Sequence, residues 1–216
     1  MPAKPATPPR PGQRRRLTAG QRRELILQAA ARTFAERGYH GASMSSIAAA
    51  AGIAPSVIYD HFASKSDLHI ELLTRHARAM VEATTHLPAG ETGEDLVRHS
   101  TDAFFGYVEQ NRYAWRMLFR DPPADVQTAA IHEEIHQRGT AAIAALIHLA
   151  PVMRLRSGLP RELADNMLAR AIKSANDGLA AWWYEHPEVR REQVVEIAVS
   201  LSWHGLAWLT SAIEKA

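Results

Sequence analysis

A glycine and a proline separated by two residues constrain the fold of this chain more than any other feature. Gly52 directly follows an apolar helical pattern over residues 44–51, and Pro55 begins the next helical segment. Glycine can adopt the left-handed backbone that ends a helix, and proline suits the first turn of a helix. So short a connection forces the two helices to cross steeply, with Ile47 and Ile58 packed between them. The pattern predicts a helix-turn-helix.

Helical periodicity and capping residues surround this turn. From about Thr18, apolar residues recur at three- and four-residue steps, and Gly38 is expected to end this first helix. Ser43 can cap the second helix, and Ser64 can cap a fourth helix beyond the turn. These signals predict a tri-helical head that spans residues 17–64.

The remainder of the chain has a helical pattern almost throughout. Breaks are expected where Pro and Gly residues cluster, and no stretch shows the sustained alternation of a strand. The expected helices lie near 65–86, 93–110, 112–120, 123–150, 160–186 and 189–214. The predicted fold class is therefore all-α with about nine helices: an N-terminal tri-helical helix-turn-helix domain and a C-terminal helical domain over 65–216.

Charge is distributed unevenly along the sequence. Residues 1–68 hold ten Lys or Arg against four Asp or Glu, whereas the rest of the chain is net acidic. Residues 1–16 are rich in Pro and Arg, which predicts a disordered basic arm. A basic end on an acidic body is typical of contact with a polyanion, although a solvated flexible tail would give the same charge pattern.

Composition also restricts the class of protein. The chain has no cysteine, which excludes disulfides and thiolate zinc sites. No apolar run approaches the ~18 residues that a transmembrane helix needs, and no secretory signal is recognised. We therefore expect a cytoplasmic protein with no membrane partner and no cofactor.

The segment from Ile47 to Lys65 resembles the signature of TetR-family (tetracycline-repressor-like) regulators. It reads IAAAAGIAPSVIYDHFASK, and the upstream Phe34, Gly38 and Tyr39 match the same pattern. The resemblance implies a transcriptional repressor that binds operator DNA through the head and senses a small molecule with the body. It leaves activation open as the alternative direction of regulation.

The resemblance also implies roles for individual residues of the head. Tyr59 matches a tyrosine whose hydroxyl binds a DNA phosphate, and Lys65 matches a phosphate-contacting lysine. Free N–H groups at the start of the second helix should place Ser43 beside the DNA backbone. The third helix exposes Ser56 and His61 as candidates for base-edge contacts. The full predicted DNA-binding set is Ser43, Pro55, Ser56, Tyr59, His61 and Lys65, with Arg14, Arg15 and Arg16 of the arm.

Three positions of the head depart from the family pattern. Ala54 stands where Ser or Thr is frequent, so the third helix lacks its usual side-chain cap. Ser56 replaces a frequent glycine, and Asp60 places an anion near DNA. These last two departures leave the operator sequence open.

The last two predicted helices, over about 160–214, carry apolar stripes too wide for one contact. In TetR-like regulators the corresponding helices pair with their copies, which implies a homodimer; the buried core of a monomer is the alternative. A two-fold pair would present two heads about one DNA turn apart. The resemblance therefore implies a near-palindromic, double-stranded operator.

Aromatic and Met side chains are concentrated in the middle helices. At helical spacing each is more often core than ligand contact, but together they are typical of a largely apolar pocket. The predicted effector is a small apolar or aromatic molecule, and a DNA-binding regulator without an inducer is the alternative. The predicted pocket residues are Met80, His99, Phe104, Tyr107, Trp115, Phe119, Met167 and Asn176.

A His-Glu-x-x-His pattern at His132, Glu133 and His136 raises a remote zinc-metallopeptidase alternative. Helical spacing places both imidazoles on one face. A catalytic zinc also needs a third protein ligand, and no later segment indicates one. We therefore expect no catalytic residues and no bound metal.

Overall fold

The computed structural model describes residues 17–86, 88, 93–119, 125–149 and 158–205, and these residues contain no strand. A π-helical turn, Ser200–His204, continues the last helix. The helices are α1 (Ala19–Gly41), α2 (Met44–Ala51), α3 (Pro55–Tyr59), α4 (Lys65–Thr85), α5 (Glu94–Gln110), α6 (Arg112–Phe119), α7 (Val126–Leu149), α8 (Arg161–Glu185) and α9 (Arg191–Val199).

This architecture confirms the all-α prediction with about nine helices. The predicted starts of the helices after the head agree with the structure to within about three residues, the usual uncertainty of a boundary. The predicted arm over 1–16, with Arg14, Arg15 and Arg16, lies outside the described residues. The predicted continuation of the last helix beyond residue 205 also lies outside them.

Short-range hydrogen bonds explain where the helices of the head begin and end. Thr18 Oγ1 accepts from the Gln21 N–H at 3.2 Å, and Ser43 Oγ accepts from the Ser46 N–H at 3.1 Å. Gly38, at φ 68°, breaks the helical backbone near the end of α1. Since only glycine adopts this conformation without strain, the break follows directly from the sequence.

One hydrophobic cluster holds the head together and extends past its predicted end. Ile26 of α1, Ile47 of α2 and Ile58 of α3 are fully buried in it. The same cluster includes Leu73 of α4 and Met117 of α6. The head is therefore packed directly on two helices of the body.

A second cluster forms the core of the body, where α5 packs against α8 and α9. Phe105 is fully buried in this cluster and meets the rings of Phe104 and Trp183 edge-on at 5.0 and 5.8 Å. Val195 and Val199 supply the face of α9. None of the helices in the described part of the chain is long and apolar enough to cross a membrane.

Candidate DNA-binding surface and effector cavity

The turn between α2 and α3 has the geometry that its glycine and proline predict. Gly52 adopts the left-handed conformation at φ 66° and ψ 32°, and its N–H donates to the Ala49 carbonyl at 3.1 Å. The Ile53 N–H donates to the Ala48 carbonyl at 3.0 Å. Pro55 then begins α3, and no side chain caps this helix at Ala54. The two helices are therefore joined by a short turn with a defined backbone conformation.

The outer surface of α3 does not pack against the rest of the protein. Pro55, Ser56 and Tyr59 are exposed, with 55% of Tyr59 accessible, while Ile58 on the opposite face is fully buried. His61 is partly buried, and its carbonyl accepts from Arg23 Nη1 at 3.1 Å. A narrow helix with small and polar outer residues has the dimensions that a major groove admits.

Lys65 at the start of α4 makes contacts that the sequence did not predict. Its Nζ donates to the carbonyls of Tyr39 and Ala42 at 2.8 and 2.9 Å, and it lies 4.4 Å from the centroid of the Tyr39 ring. An ammonium group has three N–H donors. Lys65 thus links α4 to the last turn of α1 and to the residue that follows it. One N–H of its ammonium group is left for a further acceptor.

Two helix N-termini on the head have serine caps. Ser43 caps α2 within a reciprocal pair with Ser46, and Ser64 Oγ accepts from the Asp67 N–H at 3.0 Å at the start of α4. Ser43 is exposed. An exposed helix N-terminus carries partial positive charge and favours an anion such as phosphate.

Ion pairs and a buried histidine join the head to the body. Arg23 of α1 pairs with Glu71 of α4 at 3.2 Å, and Glu24 pairs with Arg75 at 2.7 Å. His69 of α4 is fully buried, and burial lowers its pKa to about 4. His69 is therefore neutral at pH 7, which suits its position between apolar and aromatic side chains.

The predicted pocket residues lie in several different environments of the structure. Met80, Phe104 and Trp115 are buried in the body cluster, with Tyr107 and Phe119 packed against it. His99 is half-buried, and Asn176 is buried. Met167 is 53% exposed on α8, so its side chain faces outward rather than into the body.

His76 joins three helices of the body, a role that sequence reasoning did not find. Its ring nitrogens lie 2.7 Å from the hydroxyls of Tyr107 on α5 and Tyr113 on α6. Burial lowers the pKa of His76 and raises the pKa of Tyr113 to about 12, so the ring and the hydroxyl are neutral at pH 7. Only the three-dimensional fold brings these residues together, because they are far apart in sequence.

A cavity of about 460 Å³ opens between α6, α7 and α8. Three of its lining residues are aromatic: Trp115, Phe119 and Trp182. Its polar and small lining residues are His136, Asp177, Gly178, Ala181 and Glu185. The volume is within the range of small-molecule sites in proteins. Of the predicted pocket residues, Trp115 and Phe119 line this cavity.

The His-Glu-x-x-His pattern lies on α7, beside the same cavity. The rings of His132 and His136 are 6.4 Å apart, and His136 Nδ1 lies 3.0 Å from Lys173 Nζ. Across the described ranges, no three His, Cys, Asp or Glu residues are grouped so that they could hold a metal ion. His136 is therefore a cavity-wall residue paired with a lysine.

The outer faces of α8 and α9 expose large apolar side chains. Leu163, Met167 and Trp182 on α8 are 59%, 53% and 48% accessible. Ile197 on α9 and Leu201 in the π-helical turn are 59% and 60% accessible. A concentration of exposed apolar groups of this size marks an interaction surface.

Comparisons with known proteins agree for the head and for the body. Residues 26–72 match the family model described as bacterial regulatory proteins of the tetR family, and residues 94–205 match the tetracyclin repressor-like C-terminal domain. The chain is 30% identical over 203 residues to the HTH-type transcriptional activator FasR of Mycolicibacterium smegmatis, covering 92% of this chain and 90% of FasR. It is 27% identical over 206 residues to the HTH-type transcriptional regulator EthR of Mycobacterium tuberculosis, covering 93% and 91%.

A solved structure supports the same relationship. A TetR-like transcriptional regulator from Rhodococcus sp. RHA1 superposes with a TM-score of 0.70 at 26% identity, covering 89% of this chain and 99% of that one. Similarity over nearly the full length of both chains includes the body as well as the head.

Proposed function

Because this chain belongs to the TetR family of bacterial regulatory proteins, we propose that it binds a near-palindromic operator as a homodimer and is released by a small lipophilic effector. It is a DNA-binding transcription regulator of that family. The observation that carries the finer proposal is the exposed face of α3, where Ser56 and Tyr59 are accessible while Ile58 anchors the helix.

Contacts with DNA are assigned to two classes. We propose that Tyr59 and Lys65, together with the N-terminus of α2 at Ser43, bind phosphates and set the position of the head. Ser56 and His61 then contact base edges, beside Pro55, and the arm with Arg14, Arg15 and Arg16 adds further phosphate contacts. Lys65 keeps one donor for this purpose after its bonds to two carbonyls.

A second copy of the chain is the proposed partner for the exposed face of α8 and α9. Pairing would cover Leu163, Met167, Ile197 and Leu201, which are all more than half accessible. Burying such apolar area contributes about 25 cal/mol per Å² before the costs of association. The two-fold pair would present two α3 helices to successive major grooves.

The effector is proposed to bind in the body and to act through α4. This helix contributes Leu73 to the cluster of the head and His76 to the hydroxyl pair of the body. An effector that binds the released state more tightly than the operator-bound state shifts the equilibrium by the difference, about 1–3 kcal/mol in typical cases. The cavity beside α6 supports this proposal over a regulator without an inducer.

The proposed direction of regulation is repression at promoters that the operator overlaps. FasR carries the name of an activator. The binding event proposed here is the same for both directions, because the position of the operator relative to the promoter decides whether a bound dimer blocks or assists transcription. We propose that this event takes place in the cytoplasm.

Operator selection from random duplex DNA tests the proposal, with a matched pair of variants for the dimer. Ile197→Glu places a charge in the proposed interface and should give a monomer that has lost operator binding. Val126→Glu introduces the same charge at an apolar residue of α7 that is 87% accessible, and should leave both the dimer and operator binding intact. A dimeric Ile197→Glu variant with full operator affinity would contradict the proposed interface.

A further inference from the structure

Trp115 carries a buried hydrogen-bond donor behind the wall of the cavity between α6, α7 and α8. Trp115 lines the cavity and is 2% exposed, and its Nε1–H has no hydrogen-bond partner among the described residues. Its nitrogen atom has less than 1 Å² of accessible surface, so an acceptor in the cavity does not reach it. In contrast, the Trp183 Nε1–H in the same cluster donates to the Val189 carbonyl at 2.7 Å.

His136 supplies a donor to the cavity wall, and Lys173 fixes which of its ring nitrogens carries the proton. Lys173 Nζ lies 3.0 Å from His136 Nδ1 and 2.6 Å from Asp177 Oδ2. Because an ammonium group can only donate, Nδ1 must accept. Burial and the nearby Lys173 charge both lower the pKa of His136, so the ring is neutral and Nε2 carries its proton.

The position of Lys173 depends on a small residue on the facing helix. A Cβ built on Gly139 of α7 would lie 3.3 Å from Lys173 Cε, so the absence of a side chain there leaves room for the lysine stem. The Lys173 side chain is 12% accessible and its Nζ lies 5.0 Å from the centroid of the Phe119 ring. The lysine is therefore held in place behind the cavity wall, beside His136.

We propose that this cavity binds a lipophilic effector that carries a hydrogen-bond acceptor, such as a carbonyl oxygen, which accepts from His136 Nε2–H. The aromatic wall of Trp115, Phe119 and Trp182 contacts the apolar body of the effector. This inference deepens the proposed ligand-release function and rests on it.

The carboxylates of the lining do not make the cavity a site for cations. Asp177 is already neutralised by Lys173 at 2.6 Å. Glu185 lies on the exposed rim and has an interaction of its own. The donor that the wall offers is His136 Nε2–H, and a donor selects an acceptor rather than an amine.

Three naphthalenes of matched shape separate the alternatives by calorimetric titration of the full chain. They are 2-acetylnaphthalene, its hydrocarbon isostere 2-isopropenylnaphthalene, and protonated 1-(2-naphthyl)ethylamine. The ketone should bind about tenfold or more tightly than the isostere, a typical effect of satisfying buried donors. Equal binding of ketone and isostere, or tightest binding of the amine, would overturn the proposal.

Variants locate this preference in the cavity. His136→Leu removes the donor and should reduce the ketone's advantage to about threefold or less, while the isostere keeps its affinity. Trp183→Phe removes an indole N–H that is paired outside the cavity, and should leave the ratio unchanged. An unchanged ratio in the His136→Leu variant would overturn the proposal.

Nitrogen NMR of the wild-type chain tests the proton position without any variant. His136 should be in the Nε2–H form at pH 7.5, and the ketone should shift its Nε2 signal; an Nδ1–H form would contradict the proposal. Operator binding without any compound is measured in parallel. If the operator binds and none of the three compounds does, the effector inference fails alone; if the operator does not bind, the proposed function itself fails.

Discussion

The head and the body of this chain differ in where their interaction groups lie. In the head, the side chains available to a partner are on the surface of α3, and Ile58 behind them is fully buried. In the body, the unsatisfied groups are inside: Trp115 Nε1 and Asn176 Oδ1 are buried and lack partners among the described residues. The polar groups of the head are therefore open to the surface of a partner, whereas those of the body are closed off from solvent.

In the head, the residues that stabilise the fold differ from those available for binding, whereas in the body the same residues can serve both purposes. A surface residue of the head can be changed at little cost to folding, because it makes few internal contacts. A residue near the cavity of the body also packs the core, so its substitution changes both properties. The following predictions test this contrast, beginning with the largest effect.

Truncation of one aromatic residue in each region should show the contrast directly. Phe105→Ala empties a fully buried site in the body and should lower the free energy of unfolding by about 3–5 kcal/mol. Tyr59→Ala, at a head residue that is 55% accessible, should lower it by about 0.5 kcal/mol or less. Guanidinium unfolding measures both. A loss below about 1 kcal/mol for Phe105→Ala would break the comparison.

Acid should lower the free energy of unfolding through His69, which lies where the head packs against the body. The folded-state pKa is about 4, below the ordinary value of 6.5, so the unfolded chain takes up the proton first. Stability is therefore full above pH 6.5 and should fall by about 3 kcal/mol as the pH decreases to 4. His69→Leu should flatten this part of the unfolding profile. An equally steep decline in that variant would show that other groups cause it.

Two glycines should respond to alanine with opposite signs. Gly52→Ala forces a side chain into the left-handed conformation at φ 66° and should cost about 1–2 kcal/mol. Gly178→Ala lies in the helical interior of α8 with no atom within 4 Å of the new Cβ, and should gain about 0.5–1 kcal/mol. Thermal unfolding of both variants provides the measurement, and equal signs would contradict the assigned turn geometry.

Tyr59→Phe should have the smallest effect, confined to DNA binding. Loss of a neutral hydroxyl that binds phosphate should weaken binding a few-fold on all duplexes, by about 1 kcal/mol per head or less, without changing the salt dependence. Ser56→Gly should instead alter the preference among sequences. Competition binding with a selected and an unrelated duplex distinguishes the two, and a sequence-selective effect of Tyr59→Phe would assign it to base reading.

The sequence predicted the head in detail because its signals are local. Gly52 and Ser43 form hydrogen bonds to residues within five positions, and Pro55 acts through its own ring at the start of α3, so the conformation of the turn can be read from the order of residues. Long-range contacts were not predictable in this way. Lys65 reaches carbonyls 23 and 26 residues away, and its structural role appears only in the folded chain.

The cavity illustrates the same limit in the body. Trp115 and Phe119 were identified from their aromatic character, but their partners His136 and Asp177 come from helices whose relative positions no periodicity specifies. Met167 was grouped with the pocket for its residue type, and the structure places it on the outer face of α8. Residue type indicates what a side chain can do, and packing decides where it is available.

Dimethyl sulfate protection of a selected operator tests most directly whether α3 reads DNA in the major groove. This reagent methylates guanine N7 in the major groove and adenine N3 in the minor groove. Two α3 helices on one dimer should protect guanine N7 in two patches about one helical turn apart, roughly 10 base pairs. Protection limited to adenine N3, or none at saturating protein, would contradict the account.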